Sequence, residues 1–530
     1  MNIMPKLFAL LSLLILSACA AGISEMETPA PDYTRAYDLH ISGGTIVDGS
    51  GKPSYQGDIL VTGDVISFIG MVDTSKIDVV RTIDATNRTI SPGFIDAHSH
   101  GDPLLDSNDL LRNFLRQGIT TVVLGQDGEN PAKLADGSDA ILPSFGDWLD
   151  QVDQHGTGPN VATLVGHGTI RELSGAGASD TVTAKQQAKM EQLITEAMNA
   201  GAYGLNSGLE YVPGRYANAA ELAGLAKVVG TYGGLISSHI RSEDADLVQA
   251  SVQELIEQAQ YARVNITHVK VVYGKTRAEG EAVLKQIRDA RAKGMIVTAD
   301  VYPYLASFGN MSFLYPEWAK RESEFIDAAA NRREEFEEFL RAKIIQRNGP
   351  GAILVSSGTY SGKTLQEVAN ITGKRPEALI IDFGYRGPRT AHFIMTKTTQ
   401  DVFITAPDVS ISSDGSPTMR HPRSFGSFPK VIGEYVMRDK AMSIEFAINK
   451  MTGLTAKTFG IQTRGLLKQG YGADILVIDL DNVKAGTSWS DIYAQPTGFD
   501  YVIVNGKITD TSPKSKSPVF GRVLRKHKAD

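Results

Sequence analysis

Cysteine is almost missing: Cys19 is the single one in 530 residues. A mature chain with no other cysteine forms no internal disulfide, holds no zinc through sulfur and has no thiol nucleophile. Long hydrophobic runs are missing too, since nothing after the N-terminal leader is apolar for long enough to span a bilayer. Nor is there an excess of positive charge. The net charge is -7 at pH 7, which gives no support for nucleic-acid binding. No short internal repeat or low-complexity block interrupts the sequence. At this length one simple core is excluded, and an enlarged domain or two domains are expected.

The first residues present an export signal. Lys6 precedes an apolar run from Leu7 to Leu16, which ends in Leu16-Ser17-Ala18-Cys19. The pattern reads as a secretory leader, residues 1–19. Its end resembles a bacterial lipobox, which implies a lipid on Cys19 and a place in the cell envelope. Ala20 follows the cysteine, and by the same resemblance this points to the outer membrane. Residues 20–37, with Pro29 and Pro31, read as a tether.

Beyond the tether the pattern divides into three. Residues 38–90 and 456–530 alternate short apolar runs with turns, for example Ile59-Leu60-Val61-Thr62-Gly63-Asp64 and Tyr501-Val502-Ile503-Val504-Asn505-Gly506. They predict one small β-sandwich domain built from both chain ends. Residues 91–455 alternate strand and helix. Strands are expected at Phe94–Asp96, Thr120–Leu124, Val161–Val165, Tyr203–Leu205, Leu235–Ser238, Val264–Thr267, Met295–Thr298 and Val409–Ser412. Amphipathic helices are expected over Ala184–Ala200 and Ala245–Tyr261. Alternating βα units imply a parallel sheet, and its natural form at this length is a closed (β/α)8 barrel. The charged stretch Arg321–Arg347 reads as a helical insertion near residues 305–350.

Polar residues gather at the ends of these strands, where barrel enzymes keep their active sites. His98 and His100 follow the first strand after a Pro92-Gly93 break, and residues two apart in a strand face one side. Asp127 and Glu129 follow the second strand, His167 and Arg171 the third, His239 and Arg241 the fifth, His268 and Lys270 the sixth, and Asp414 the eighth. Five of only 10 histidines therefore fall at strand C-ends, which favours a metal site over five unrelated core histidines. Histidine and carboxylate ligands suit zinc with an open position for water.

The run Pro92–His100, the paired terminal β segments and Gly470-Tyr471-Gly472-Ala473-Asp474 resemble the amidohydrolase superfamily. Gly118–Val123, Val165-Gly166-His167-Gly168, Gly204–Tyr211, Ser238–Arg241, Thr267–Lys270, Asp300–Tyr304 and Ser413-Asp414-Gly415 with His421-Pro422-Arg423 resemble its D-aminoacylase (N-acyl-D-amino-acid deacylase) family. The resemblance implies His98 and His100 at a first metal position and His239 and His268 at a second, tightly held zinc. A second zinc would bind more weakly. It implies Asp414 as the proton carrier. Asp127 stands where these deacylases commonly place a bridging cysteine. An aspartate can still bridge through two oxygens, as a harder ligand than thiolate.

The implied chemistry is zinc-dependent hydrolysis of the amide bond of an N-acyl-D-amino acid. A metal-activated water attacks the carbonyl while Asp414 takes its proton and returns one to the departing amine. His167 or Tyr211 would steady the oxyanion. Lys270 would hold either the substrate carboxylate or an active-site carboxylate, Arg423 an active-site carboxylate or a loop, and Tyr302 and Tyr304 would line the pocket or simply pack. The expected partners are a small N-acyl amino acid or dipeptide and, through the lipid alone, a membrane. A dipeptidase acting on dipeptides with a C-terminal D-residue would use identical chemistry. A cyclic-amide hydrolase and a lipid-anchored binding protein that lost catalysis are the other readings. The first lacks a suitable bridging lysine near the fourth strand, and the intact histidine set opposes the second.

Overall fold

The computed structural model describes residues 30–101, 111–129, 145–512 and 515–526. The leader, Cys19 and the first part of the expected tether lie outside them.

Eight short, buried strands close a parallel barrel: β6 (Phe94–Asp96), β7 (Ile119–Leu124), β8 (Asn160–Thr163) continued by β9 (Val165–Gly166), β10 (Gly204–Gly208), β11 (Leu235–His239), β12 (Arg263–Ile266), β13 (Val297–Val301) and β17 (Val409–Ile411). The third strand is kinked at Leu164, so that β8 pairs with β7 and β9 with β10. Every residue of β7, Ile-Thr-Thr-Val-Val-Leu, is buried, as expected for a parallel sheet covered on both sides. Closure comes where β6 and β17 meet: His100 N donates to Gly415 O at 2.7 Å and Asp414 N to His98 O at 2.8 Å. The same two bonds bring the His98–His100 pair against Asp414.

The flanking helices have ordinary causes. The helix Ala184–Ala200 starts at a capping box between Thr183 and Gln186 and stops at Gly201 with φ 108°. It buries Met190, Leu193, Ile194, Ala197 and Met198, one stripe at helical spacing. The seventh strand runs two residues later than expected, since Ile296 is 54% exposed and takes no place in the core.

The second sheet is built from both ends of the chain. β1 (Ala36–Ile46), β2 (Tyr55–Thr62), β3 (Val65–Gly70), β4 (Asp78–Asp84) and β5 (Thr89–Pro92) join β18 (Ile475–Ile478), β19 (Phe499–Val504) and β20 (Lys507–Ile508). β5 sits between β1 and β18. Ile41, Ile59, Val61, Ile90, Ile475, Val477 and Ile503 fill this sheet's core. β1 begins at Ala36, inside the expected tether, because Tyr37 is buried and its hydroxyl donates to Asp32 O. The last described residues leave this sheet. Val161 N donates to Arg522 O and Leu524 N to Val161 O, so the tail lies along β8 of the barrel.

The insertion is larger than its charged stretch. β14 (Ala306–Gly309), β15 (Ile353–Val355) and β16 (Thr390–Phe393) form a small antiparallel sheet, covered by the helices Glu322–Asn331, Arg333–Gln346, Leu365–Thr372 and Pro376–Asp382. It has its own core around Tyr315, Phe325, Phe336, Leu340 and Ile380. It therefore runs on to Phe393, well past residue 350, because β16 supplies the strand that pairs both β14 and β15.

Candidate active site

Three of the polar residues at the barrel mouth take left-handed backbone conformations: Asp127 (φ 57°), His268 (φ 35°) and Asp414 (φ 48°). Non-glycine residues held there mark sites where the surroundings over-determine the backbone. Asp127 sits in the turn between Gly125 and Gly128. Gly125 has φ 76°, and a Cβ on it would lie 2.1 Å from Leu164 O, so only glycine lets the turn pass this close to the kinked third strand. Beneath the mouth, the buried Asp96 carboxylate accepts from Ser413 N (2.8 Å), His98 N (3.3 Å) and Ser413 Oγ, and burial pushes it up to about 7. It ties the end of β6 to the loop after β17.

The two histidine pairs converge on Asp127. Its Oδ1 is 3.6 Å from His98 Nε2, 3.5 Å from His268 Nε2 and 3.9 Å from His239 Nδ1, while its Oδ2 is 3.3 Å from His100 Nε2. His98 Nε2 and His100 Nε2 are 3.3 Å apart, and His239 Nδ1 and His268 Nε2 are 3.0 Å apart. Asp414 Oδ1 faces the first pair, 3.8 Å from His98 and 3.4 Å from His100, and Oδ2 accepts from Arg423 Nη1 at 2.8 Å. Burial raises the Asp414 pKa, but Arg423 and His100 outweigh it and hold the carboxyl well below its ordinary range. Asp127 is lowered likewise, the imidazoles of His98, His100 and His268 outweighing its burial. In return Asp127 and Asp414 raise His100 well above the usual imidazole range against the effect of burial.

A ring of further groups orients these side chains. His239 Nε2 lies 2.8 Å from Glu210 Oε2. His268 Nδ1 lies 3.2 Å from Glu243 Oε1, and that oxygen also takes Lys270 Nζ at 2.5 Å. Lys270 is thus brought onto an active-site carboxylate, and despite burial Glu243 helps hold it at about 12. The Tyr302 hydroxyl is committed to Ala306 O at 3.3 Å, so it is the ring that meets the site, with Arg423 at 4.8 Å and Lys270 at 5.5 Å. The Tyr211 hydroxyl lies 3.1 Å from His239 Nδ1. Tyr304 is half-buried and does not line the cavity, its hydroxyl 3.3 Å from Thr487 Oγ1.

His167 is not brought into the site. Its Nε2 pairs with Glu221 Oε1 at 2.8 Å, in a fully buried cluster with Arg171, and its ring does not line the cavity. The expected oxyanion role for His167 is corrected accordingly: Glu221, on a helix far along the chain, turns the ring away from the mouth. Glu210 and Glu243 are the residues that sequence reasoning left without a role. Both lie in loops with no periodicity, and the one available signal was their closeness to Tyr211 and His239 in the chain. The whole set opens into a cavity of about 720 Å³ between the barrel mouth and the insertion.

The amidohydrolase family model matches residues 329–510. The chain is 32% identical to N-acyl-D-glutamate deacylase of Alcaligenes xylosoxydans xylosoxydans, over 92% of this chain and 96% of that one. It is 30% identical to D-aminoacylase of the same organism, over 93% and 98%. The solved N-acyl-D-glutamate deacylase of Bordetella bronchiseptica, complexed with zinc and a phosphonate mimic of the tetrahedral intermediate, superposes with a TM-score of 0.79 at 30% identity, covering 93% of this chain and 100% of that one. The chain belongs to the amidohydrolase superfamily and, within it, to the D-aminoacylase family.

Proposed function

We propose that this protein hydrolyses the amide bond of N-acyl-D-amino acids with the help of bound zinc, releasing a D-amino acid and a carboxylate. The observation that carries the proposal is the placement of Asp127 between two histidine pairs, with Asp414 beside one of them.

The residues fit a metal. Four imidazole nitrogens and two carboxylates converge, and the buried Asp127 Oδ1 has no hydrogen-bond partner among the described residues. Asp127 and Asp414, which raise His100 against its burial, make this a place suited to positive charge. His239, His268 and Asp127 would hold the tight zinc, and His98, His100 and Asp127 a weaker one. With two oxygens in place of one sulfur, the site should accept harder ions more readily than a thiolate would. Bound zinc supplies a water acidic enough to attack at neutral pH and polarises the carbonyl.

The protein groups do the rest. Arg423 keeps Asp414 ionised, so Oδ1 is free to accept a proton from the attacking water as its oxygen bonds to the carbonyl carbon. The same oxygen returns that proton to the amine nitrogen as the C–N bond breaks. Burial and neighbouring carboxylates keep Tyr211 protonated, so its hydroxyl can donate to the developing oxyanion. Lys270 has three N–H donors; Glu243 Oε1 and His268 Nδ1 lie within reach of two of them, and the third is left for the substrate carboxylate in the cavity that Lys270 lines.

The test is a panel. Zinc-loaded protein is offered N-acetyl derivatives of D- and L-amino acids, dipeptides with a C-terminal D-residue and a cyclic amide. Release of free D-amino acid from the first group alone is expected. Exclusive turnover of dipeptides would install the dipeptidase reading instead, and no turnover with full zinc content would refute catalysis. We also infer, from Leu16-Ser17-Ala18-Cys19, that the mature chain is exported and acylated at Cys19. Fractionation should release Cys19→Ala from the membrane fraction, and equal solubility of both forms would overturn the anchor.

A further inference from the structure

We propose that Arg347 receives a second carboxylate of the substrate, so that the amides cleaved carry an acidic group besides the α-carboxylate. The inference rests on the deacylase reading and names its substrate class.

Arg347 closes the helix Arg333–Gln346 of the insertion and lines the cavity, although only 6% of it is exposed. A guanidinium has five N–H donors. Nε donates to His392 Nδ1 at 3.3 Å and Nη1 to the Tyr273 hydroxyl at 3.3 Å. Both acceptors are neutral. Burial and Arg347 itself hold His392 well below the imidazole range, and its other nitrogen lies 2.8 Å from Thr390 Oγ1. Burial pushes Tyr273 up to about 12.

Among the described residues no carboxylate pairs with Arg347. Asp244 and Glu210 feel its charge, but Glu210 is engaged with His239, and Asp244 lies 3.7 Å from Lys343. Arg423 and Lys270, on the same cavity, each have a carboxylate. A buried cation held only by neutral groups is costly unless an anion completes it. The remaining donors of Arg347 belong to a rigid planar fork that matches a carboxylate. Its place on the insertion, rather than on the barrel strands that carry Lys270 and Asp414, suits the end of the substrate that does not react.

The experiment uses the zinc-loaded enzyme with Arg347→Leu and Arg347→Lys. Rates are measured on N-acetyl-D-glutamate, N-succinyl-D-leucine and N-acetyl-D-leucine. The second carboxylate is on the side chain in the first substrate, on the acyl group in the second and absent from the third. The ratio of kcat/KM for a dicarboxylic substrate to that for N-acetyl-D-leucine should fall about 10- to 100-fold in Arg347→Leu, mostly through KM, and less in Arg347→Lys. A fall confined to N-acetyl-D-glutamate puts the acid on the side chain, and one confined to N-succinyl-D-leucine puts it on the acyl group. Equal losses on all three substrates overturn the proposal. If Arg347→Leu melts early, the ratio in Arg347→Lys decides. Calorimetry with glutarate and butyrate tests the site without turnover. Glutarate binding no tighter than butyrate would sink the proposal even in an active deacylase. Tight glutarate binding that is lost in Arg347→Leu, in a protein that cleaves no N-acyl-D-amino acid, would keep the site and overturn the deacylase reading.

Discussion

Replacing Asp414 by asparagine separates proton transfer from metal holding. The shape is kept, but the side chain can no longer accept the water's proton at Oδ1 or balance Arg423, which now meets it at 2.8 Å. Loss of a general acid/base typically costs about 10²–10⁴-fold in rate, or roughly 3–5 kcal/mol of barrier. Leaving Arg423 buried without its counter-charge costs about 3–5 kcal/mol of stability as well, so the melting temperature must be recorded alongside the rate. Asp414 faces only the first histidine pair, so the zinc between His239 and His268 should remain. The assay is kcat and zinc content of purified Asp414→Asn, with and without excess zinc, at a temperature where the protein is folded. The expected result is near-normal zinc and a deep rate loss that added zinc does not repair. Recovery to near the wild-type rate on adding zinc would refute the proton-carrier role.

Three other perturbations have distinct signatures. Asp127→Ala removes the one group shared by both histidine pairs, so zinc content should fall and excess zinc should restore part of the rate; unchanged metal and activity would make Asp127 a mere turn residue. Glu210→Ala frees His239 Nε2, and loss of such an outer carboxylate typically weakens metal about 10–100-fold, to be read by chelator competition, with Glu210→Gln losing less; an unaltered affinity would deny Glu210 its orienting part. Lys450 is fully buried with its ammonium on Ala406 O, and burial lowers its pKa to about 7. Between that value and its ordinary 10.5 the unfolded chain binds the extra proton, so stability should rise with pH by up to about 1.4 kcal/mol per unit. Lys450→Met should remove that slope in denaturant titrations at pH 7 to 10, and an unchanged slope would assign it to other groups.

The barrel strands were legible because most are short buried runs, and β7, β9, β11 and β12 lead into Asp127, His167, His239 and His268. The convergence of His98, His100, Asp127, His239, His268 and Asp414 was legible for the same reason: a barrel sends all its strand ends to one face. His167 obeys the same rule in the chain yet pairs with Glu221, a tertiary choice that strand position does not encode. Glu210, Glu243 and Arg347 reach the site from loops and from a helix end of the insertion, where no periodicity marks direction. The tail offers too few apolar residues to betray that it lies along β8.

The position of β5 has a consequence for how the molecule comes into being. One of its edges is covered by β1, from the same N-terminal segment, and the other by β18, made only after the whole barrel has been synthesised. This sheet must therefore wait, with an open edge, for β18. Contacts of such long sequence separation form slowly, because the loop must close before they stabilise anything. The segment around Arg522–Leu524, which lies along β8, is made later still. Completion of this sheet is thus a late step, set by the long chain separation between β5 and β18 rather than by the stability of either strand.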